Sequence, residues 1–327
     1  MTAPSLSELT GTFTKIGLLS FGGPAGQIAL MHRILVDEKK WLEEKQYLHA
    51  LNFCMLLPGP EAMQLATYAG WLLRGVRGGL IAGLLFILPG FAVMLGLSAA
   101  YVFLGDQTWM AGLLFGLKAA VLALVLEALL RVSKRALKDR FAYWIAALAF
   151  VAIALLKLPF PLVVLAAALA GFVRHRIKAG AADQAIMAQS PAAILIIWLG
   201  IWFIPLAFLL AYNPGNGFFA EAAVFFSKAA AVTFGGAYAV LVYAGQQAVD
   251  VYGWLKPGEM ATGLGLAETT PGPLILVLVF VAFVGGARLT GFEPALGGIL
   301  GGVTAMWFTF VPCFLWIFAG APYIERL

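Results

Sequence analysis

Long apolar stretches follow one another along the chain, and several are interrupted near their middles by glycine or proline. Residues 79–104, 110–130 and 192–212 approach or exceed the ~20 apolar residues that a bilayer-spanning helix needs. Residues 8–36 are too long for one comfortable crossing and are broken at Phe21-Gly22-Gly23-Pro24. Each arm measures about 18–20 Å at 1.5 Å per residue, too little for a ~30 Å hydrocarbon core. Residues 47–57 and 61–73 repeat the pattern on either side of Pro58-Gly59-Pro60. The pattern predicts two re-entrant helical hairpins with their tips at these motifs. Period-two alternation in ~10-residue segments, the sign of an outer-membrane barrel, is absent. The predicted class is therefore all-α and polytopic.

The same interruptions occur again further on. A shift of 213 residues aligns Phe13–Pro60 with Phe226–Pro273 without a gap, and 13 of the 48 columns are identical. Among the identities are Lys15 and Lys228, Gly22-Gly23 and Gly235-Gly236, Asp37 and Asp250, Trp41 and Trp254, and Pro58-Gly59-Pro60 and Pro271-Gly272-Pro273. These residues break helices or carry charge, so shared hydrophobicity does not account for them. Beyond the Pro-Gly-Pro the register slips, and "LPGF" at 88–91 answers "VPCF" at 311–314 after a ten-residue insertion. One ancestral unit is used twice.

Basic residues orient the copies. Arg33–Lys45, Arg74–Arg77, Arg131–Arg140 and Arg174–Lys178 are predicted to face the cytoplasm, whereas 244–258, which answers the first of these, carries only Lys256. The repeats are therefore expected to be inverted. Hairpins that return to their own side, helices 79–104 and 110–130, a segment 141–173 divided at Lys157–Pro161, and a lone crossing by 192–212 place all four basic loops on one side. The polar, small-residue linker 179–191 separates a first repeat, 1–178, from a second, 192–327, which ends at "APYIERL" and is expected to be shortened at its C-terminus.

Composition agrees with this picture. The 327 residues are 62% hydrophobic and 11% charged, against about 25% charged in a soluble domain, so an integral membrane protein is expected. Cys54 and Cys313 lie in apolar segments at unmatched positions, and His32, His49 and His175 form no ligand spacing, so neither metal nor cofactor is expected. No basic n-region precedes an apolar stretch at the N-terminus, and no cleaved signal peptide is expected. No Walker motif, HExxH or nucleophile triad appears, which argues against an enzyme, and no nucleic-acid partner is expected.

Backbone broken inside a bilayer must be buried in protein or line a watery cavity. Inverted repeats with interrupted helices are the pattern of secondary transporters, with the ligand near mid-depth. Helices starting after Gly22-Gly23, Pro58-Gly59-Pro60, Gly235-Gly236 and Pro271-Gly272-Pro273 would offer unpaired N–H groups and a positive dipole end, which favour an anion. Either these breaks serve such a site or they permit close helix packing; four breaks paired by a repeat favour the site. Lys15 and Lys228, seven residues before each glycine pair, would add positive potential there or snorkel to the interface. Glu61, Glu268, Lys118 and Glu127 are candidates for proton coupling, Glu127 alternatively resting near a helix end. Asp37, Asp250, Trp41 and Trp254 read as turn and interface anchors.

At "FTKIGLLSFGGPAGQIALMH" (13–32), "LNFCMLLPGPEAMQLATYAGW" (51–71), "FILPGF" (86–91), "FSKAAAVTFGGAYAVL" (226–241) and "GLGLAETTPGPLILV" (263–277) the chain resembles the chromate ion transporter family. The resemblance covers nearly the whole chain. It implies export of chromate driven by the proton motive force, conferring chromate resistance, in the bacterial inner membrane. Sulfate or a related oxyanion is the alternative substrate, and a channel-like or structural membrane protein is the alternative class. The partners expected are the oxyanion, protons, the lipid bilayer and a second copy in a homodimer.

Inversion has a direct check. Single cysteines placed at Gln46 and Gln247 should differ in labelling from outside the cell, with only the second modified. Modification of both, or of the first alone, would reject inverted repeats.

Overall fold

The computed structural model describes residues 4–325 except 138, 157, 159–161, 164, 165, 168, 172–191 and 234–236. The expected linker 179–191 and the prolines of the expected break at 157–161 lie outside the described residues. Among the described residues the regular structure is all helical. Two compact units form, one from residues 1–118 with 189–327 and one from 119–188. The smaller unit holds the C-terminal part of α5 (Thr108–Ala136) and α6 (Arg140–Ala154), whose first turn is capped by the Asp139 carboxylate accepting from the Ala142 N–H at 2.9 Å.

In the larger unit, α1 (Leu6–Leu19) opens with a reciprocal cap between Ser5 and Glu8. There follow α2 (Gly23–His32), a π-helical turn Arg33–Glu38, α3 (Glu44–Cys54) and α4 (Glu61–Leu104). Although its hydrogen bonding is nearly continuous, α4 is two helices. Arg74 at φ −145° and Gly75 at φ 61° break it, and the 61–73 limb folds back on 76–104. Glycines let the limbs touch: a Cβ on Gly70 would meet the Gly78 carbonyl oxygen at 2.4 Å, and one on Gly78 would meet that of Gly70 at 2.2 Å.

Contacts at the outer ends show that these hairpins return to where they began. Arg74 Nε donates to the Pro4 carbonyl at the foot of α1. The Glu8 carboxyl is held below its usual range mainly by Ser5, and then by the nearby charges of Lys39 and Arg74. The chain has thus left that end along α1 and come back to it by residue 74. Further on, Phe53 near the end of α3 packs edge-on against Tyr68 of the returning limb, at 5.8 Å between centroids. The 76–104 limb then crosses to the opposite end. About 14 residues into it, some 21 Å along, Gly90 lies against the Pro271 carbonyl oxygen, 2.1 Å from where its Cβ would be.

The second repeat runs the other way. Trp198 of α7 (Ala192–Tyr212) stacks on Phe314 at 5.5 Å. Just beyond the far end of α7, Asn216 Nδ2 donates to the Leu289 carbonyl at 3.2 Å. From there come α8 (Phe218–Val232), α9 (Ala237–Gln246), a π-helical turn Gln247–Val251, α10 (Glu259–Glu268), a 3-10 turn Leu274–Leu276, α11 (Val277–Leu289) and α12 (Pro294–Ile324). Even the irregular geometry repeats under the 213-residue shift. Both copies carry the π-helical turn; Lys39 N–H to Ile34 O and Tyr252 N–H to Gln247 O both measure 2.9 Å. Lys40 (φ 52°) and Gly253 (φ 64°) take the same left-handed turn. The hairpins of the second repeat open to the end at which 76–104 finishes, so the two copies are inverted.

A buried ion pair closes that end. Glu259, 7% exposed, takes both Arg288 guanidinium nitrogens at 2.8 Å, the Tyr101 hydroxyl at 2.8 Å and the Lys256 N–H at 2.7 Å. At the other end Tyr68 donates to Glu325 at 2.6 Å. Burial works against the Glu259 carboxylate, but Arg288, the Lys256 amide and Tyr101 outweigh it and hold the carboxyl below its usual 4.5. A lowered folded pKa contributes stability above pH 4.5 that is lost as pH falls through the folded value. Glu259→Gln should therefore cost about 2 kcal/mol at neutral pH. The thermal-unfolding gap from the native protein should narrow in acid; a gap that stays constant with pH would show that the charge contributes nothing.

Candidate functional site

Helix breaks inside a bilayer leave backbone groups that lipid cannot satisfy, and here each Pro-Gly-Pro finds its partner in the other repeat. A Pro-Gly-Pro tripeptide has a single N–H, that of glycine, because proline has none. The Gly59 N–H donates to the Thr233 carbonyl at the end of α8, and the Gly272 N–H to the Ser20 carbonyl at the end of α1, both at 2.8 Å. Ser20 and Thr233 are related by the 213-residue shift, as are Gly59 and Gly272. Two equivalent junctions therefore join the negative end of a half-helix in one repeat to the start of a half-helix in the other.

The local geometry follows from residue type. Ser20 (φ −77°, ψ 64°) and Thr233 (φ −81°, ψ 82°) leave the helix alike, their hydroxyls turned back onto the carbonyls of Ile16 and Ala229. Gly59 and Gly272 sit at φ 118° and 91°, values that other residues resist. The long helices wrap these tips: Cys313 Sγ lies 2.8 Å from the position of a Cβ on Gly59, as Gly90 lies on Pro271. The "LPGF" and "VPCF" segments, matched by sequence, thus each cradle the tip of the opposite repeat.

The structure joins each Pro-Gly-Pro to the end of a half-helix of the other repeat and leaves Lys15 and Lys228 exposed. Pro60, Gly59, Pro271, Gly272 and Pro273 are buried, and Pro58 is half-buried. Gly22 (φ 82°) is exposed and Gly23 (φ 71°) half-buried at the start of α2, which has no side-chain cap. Gly235 and Gly236 lie outside the described residues. Lys15 and Lys228 occupy matched, exposed positions on α1 and α8 and form no ion pair among the described residues. Glu61 and Glu268 are half-buried beside the first and second Pro-Gly-Pro. Lys118 and Glu127 belong to α5; Glu127 is exposed, and the Lys118 side chain is outside the described residues. Trp254, 1% exposed, packs among Phe218, Phe225 and Phe226 and is core, not an interface anchor. Cys54 and Cys313 are buried free thiols, and no cluster of metal-ligating side chains occurs among the described residues.

Sequence reasoning passed over Ser20, Thr233, Gln27 and Gln64. Serine answers threonine and valine answers Gln27, so no identity marks these positions, and Gln64 lies past the Pro-Gly-Pro, where the register slips. A lone amide within an apolar helix was the available signal. Gln27 donates to the carbonyls of Ser20 (3.2 Å) and Gly272 (2.6 Å), and Gln64 to that of Pro58 (2.7 Å), so both side chains reach the junctions.

Comparison with known proteins agrees with the geometry. The profile of a family described as Chromate transporter matches residues 7–172 and 220–327. The chromate transport protein of Pseudomonas aeruginosa is 33% identical over 303 residues, 90% of this chain and 70% of that protein. That of Cupriavidus metallidurans is 29% identical over 332 residues, 99% of this chain and 77% of that protein. A probable chromate transport protein of Synechococcus elongatus is 28% identical over 330 residues, 99% and 78% of the two chains. No solved structure matches.

No atom lies within 4 Å of where a Cβ on Gly22 would be, so a larger residue there meets open space and costs about 1–2 kcal/mol of backbone strain. Gly22→Leu should leave folded protein in the membrane yet abolish transport by covering the first amides of α2. Normal flux in this variant, or in Gly235→Leu, would reduce the glycines to packing residues.

Proposed function

This chain belongs to the chromate transporter family, and from that premise we propose that it is a secondary transporter that carries chromate out across a bacterial inner membrane in exchange for protons. The observation that carries this reading is the pair of junctions between inverted repeats, each joining a broken helix of one copy to the Pro-Gly-Pro of the other. Broken helices meeting at mid-depth are where secondary transporters bind their ligands. Helix N-termini at the breaks favour a tetrahedral oxyanion, and net charge +5 adds a mild bias in the same direction. The relatives are named as transport proteins, which supports a carrier in place of an enzyme.

In this proposal residues 1–178 and 192–327 are the two family repeats, joined by 179–191. The anion meets Gly22, Gly23, Gly235 and Gly236 and the two Pro-Gly-Pro tips. Lys15 and Lys228 supply positive potential along its route: a lysine about 15 Å along α1 from Ser5 and facing outward is costly against lipid, but favourable beside water and an anion. Glu61 and Glu268, each next to a tip, carry the coupling protons, with Lys118 and Glu127 as further relay groups. Two copies associate as a homodimer.

Uptake of labelled chromate into inverted vesicles, with and without an uncoupler and alongside labelled sulfate, tests this function. Chromate accumulation that collapses with the proton gradient is expected. Equal fluxes with and without the uncoupler would remove proton coupling, and preferential sulfate flux would reassign the substrate. Within the same assay, Lys15→Gln should raise the apparent KM for chromate roughly five- to a hundredfold, with Lys15→Arg closer to the native value. Lys228→Gln should behave alike and the double variant should be inactive. Unchanged KM in both single variants would take the lysines off the route.

A further inference from the structure

Each junction contains one buried glutamine whose carbonyl oxygen has no partner among the described residues. Gln27 is 1% exposed and Gln64 0%. Gln27 Nε2 is committed to the Gly272 and Ser20 carbonyls at 2.6 and 3.2 Å, and Gln64 Nε2 to the Pro58 carbonyl at 2.7 Å. These acceptors fix the orientation of the amides, since a reversed amide would set oxygen against oxygen. What remains is Oε1 of each side chain, buried and without a hydrogen bond. Orphaned acceptors are rare because burial without a donor is costly. Here they occur once at each junction, beside the starts of α2 and of the 61–73 limb. Val240 answers Gln27, and no glutamine follows Gln247 in the chain, so the first repeat alone supplies both.

An acceptor beside helix N-termini sorts anions by their protons. A fully deprotonated oxyanion has only acceptor oxygens and would set lone pairs against Oε1. A singly protonated oxyanion carries an O–H that Oε1 can accept, while its remaining oxygens face the helix amides. Its single charge is also easier to dehydrate than a double one. Chromate takes up a proton near neutrality, whereas sulfate, of nearly the same shape, does so only in strong acid. Building on the oxyanion-transport function above, we propose that Gln27 and Gln64 determine specificity, each accepting at its own junction the single O–H of a monoprotonated oxyanion that passes it, and so selecting hydrogen chromate against sulfate. Rejection comes from an unmatched acceptor, a more selective device than pocket size for two tetrahedral ions.

Titratable groups on neighbouring elements are Cys313 against Gly59 and Gln64, Cys54 and Glu61 on the arms around the first tip, Tyr47 bonded to the Ile28 carbonyl of α2, and Glu268 before the second tip. They act on every bound anion, so sulfate measured at the same pH reports their contribution. The test is calorimetry of the purified full chain with chromate and with sulfate on both sides of neutrality. Native protein should bind chromate in proportion to its hydrogen chromate fraction and sulfate weakly throughout. The near-isosteric Gln27→Met and Gln64→Met, checked for folding by thermal unfolding, should each lower chromate affinity roughly tenfold or more while leaving sulfate unchanged or tighter. Variants that weaken both anions equally, or native protein that binds both alike at every pH, would overturn the selection and leave oxyanion transport standing. Failure of native protein to bind any oxyanion would overturn the transport function itself, and the selection with it.

Discussion

A single N–H group in each Pro-Gly-Pro, donated across the repeat boundary, is the interaction on which the rest of this structure depends. Proline on either side removes every other backbone donor from the tip, and a bilayer interior supplies no water to replace it. The carbonyl that accepts it, Ser20 or Thr233, is the otherwise unpaired end of a half-helix from the opposite copy. Neither break could be buried at mid-depth alone. Inversion makes the solution self-consistent, because a tip reaching mid-depth from one end meets the end of a half-helix that has arrived from the other.

The same contact constrains movement. If one repeat is to move against the other, as alternating access requires, both junctions must change together, since each repeat holds one donor and one acceptor. Tyr101 with Glu259 and Arg288 closes one end, and Tyr68 with Glu325 closes the other; each pairs a tyrosine of α4 with a glutamate of the second repeat. Opening either end separates α4 from a carboxylate, and the well-paired Glu259 is the costlier of the two to release. The fold thus has a paired centre and unequal ends.

The repeats are alike in backbone but not in side-chain chemistry. Both carry the π-helical turn, the left-handed turn at Lys40 and Gly253 and the positive φ of Gly59 and Gly272, yet the two buried glutamines come from the first copy, where Gln27 stands opposite Val240. A pseudo-symmetric scaffold can keep its hydrogen-bond geometry while only one half carries specificity, because the junctions are made by backbone, which sequence divergence leaves in place.

The sequence by itself determined the helical class, the duplicated unit, its inversion and the positions of the three breaks that lie among the described residues. Those features rest on local causes: apolar length against bilayer thickness, the inability of proline and glycine to continue a helix, and the distribution of arginine and lysine. Only the tertiary structure decided which break meets which. Gly59 pairs with Thr233 and not with the neighbouring Ser20, a choice fixed by which end of the molecule each hairpin enters from. It also decided that Lys15 and Lys228 face outward, and that two glutamine oxygens find no partner among the described residues. A side chain's partner depends on a neighbour more than two hundred residues away, Gly272 for Gln27, and no local pattern in the sequence carries that distance.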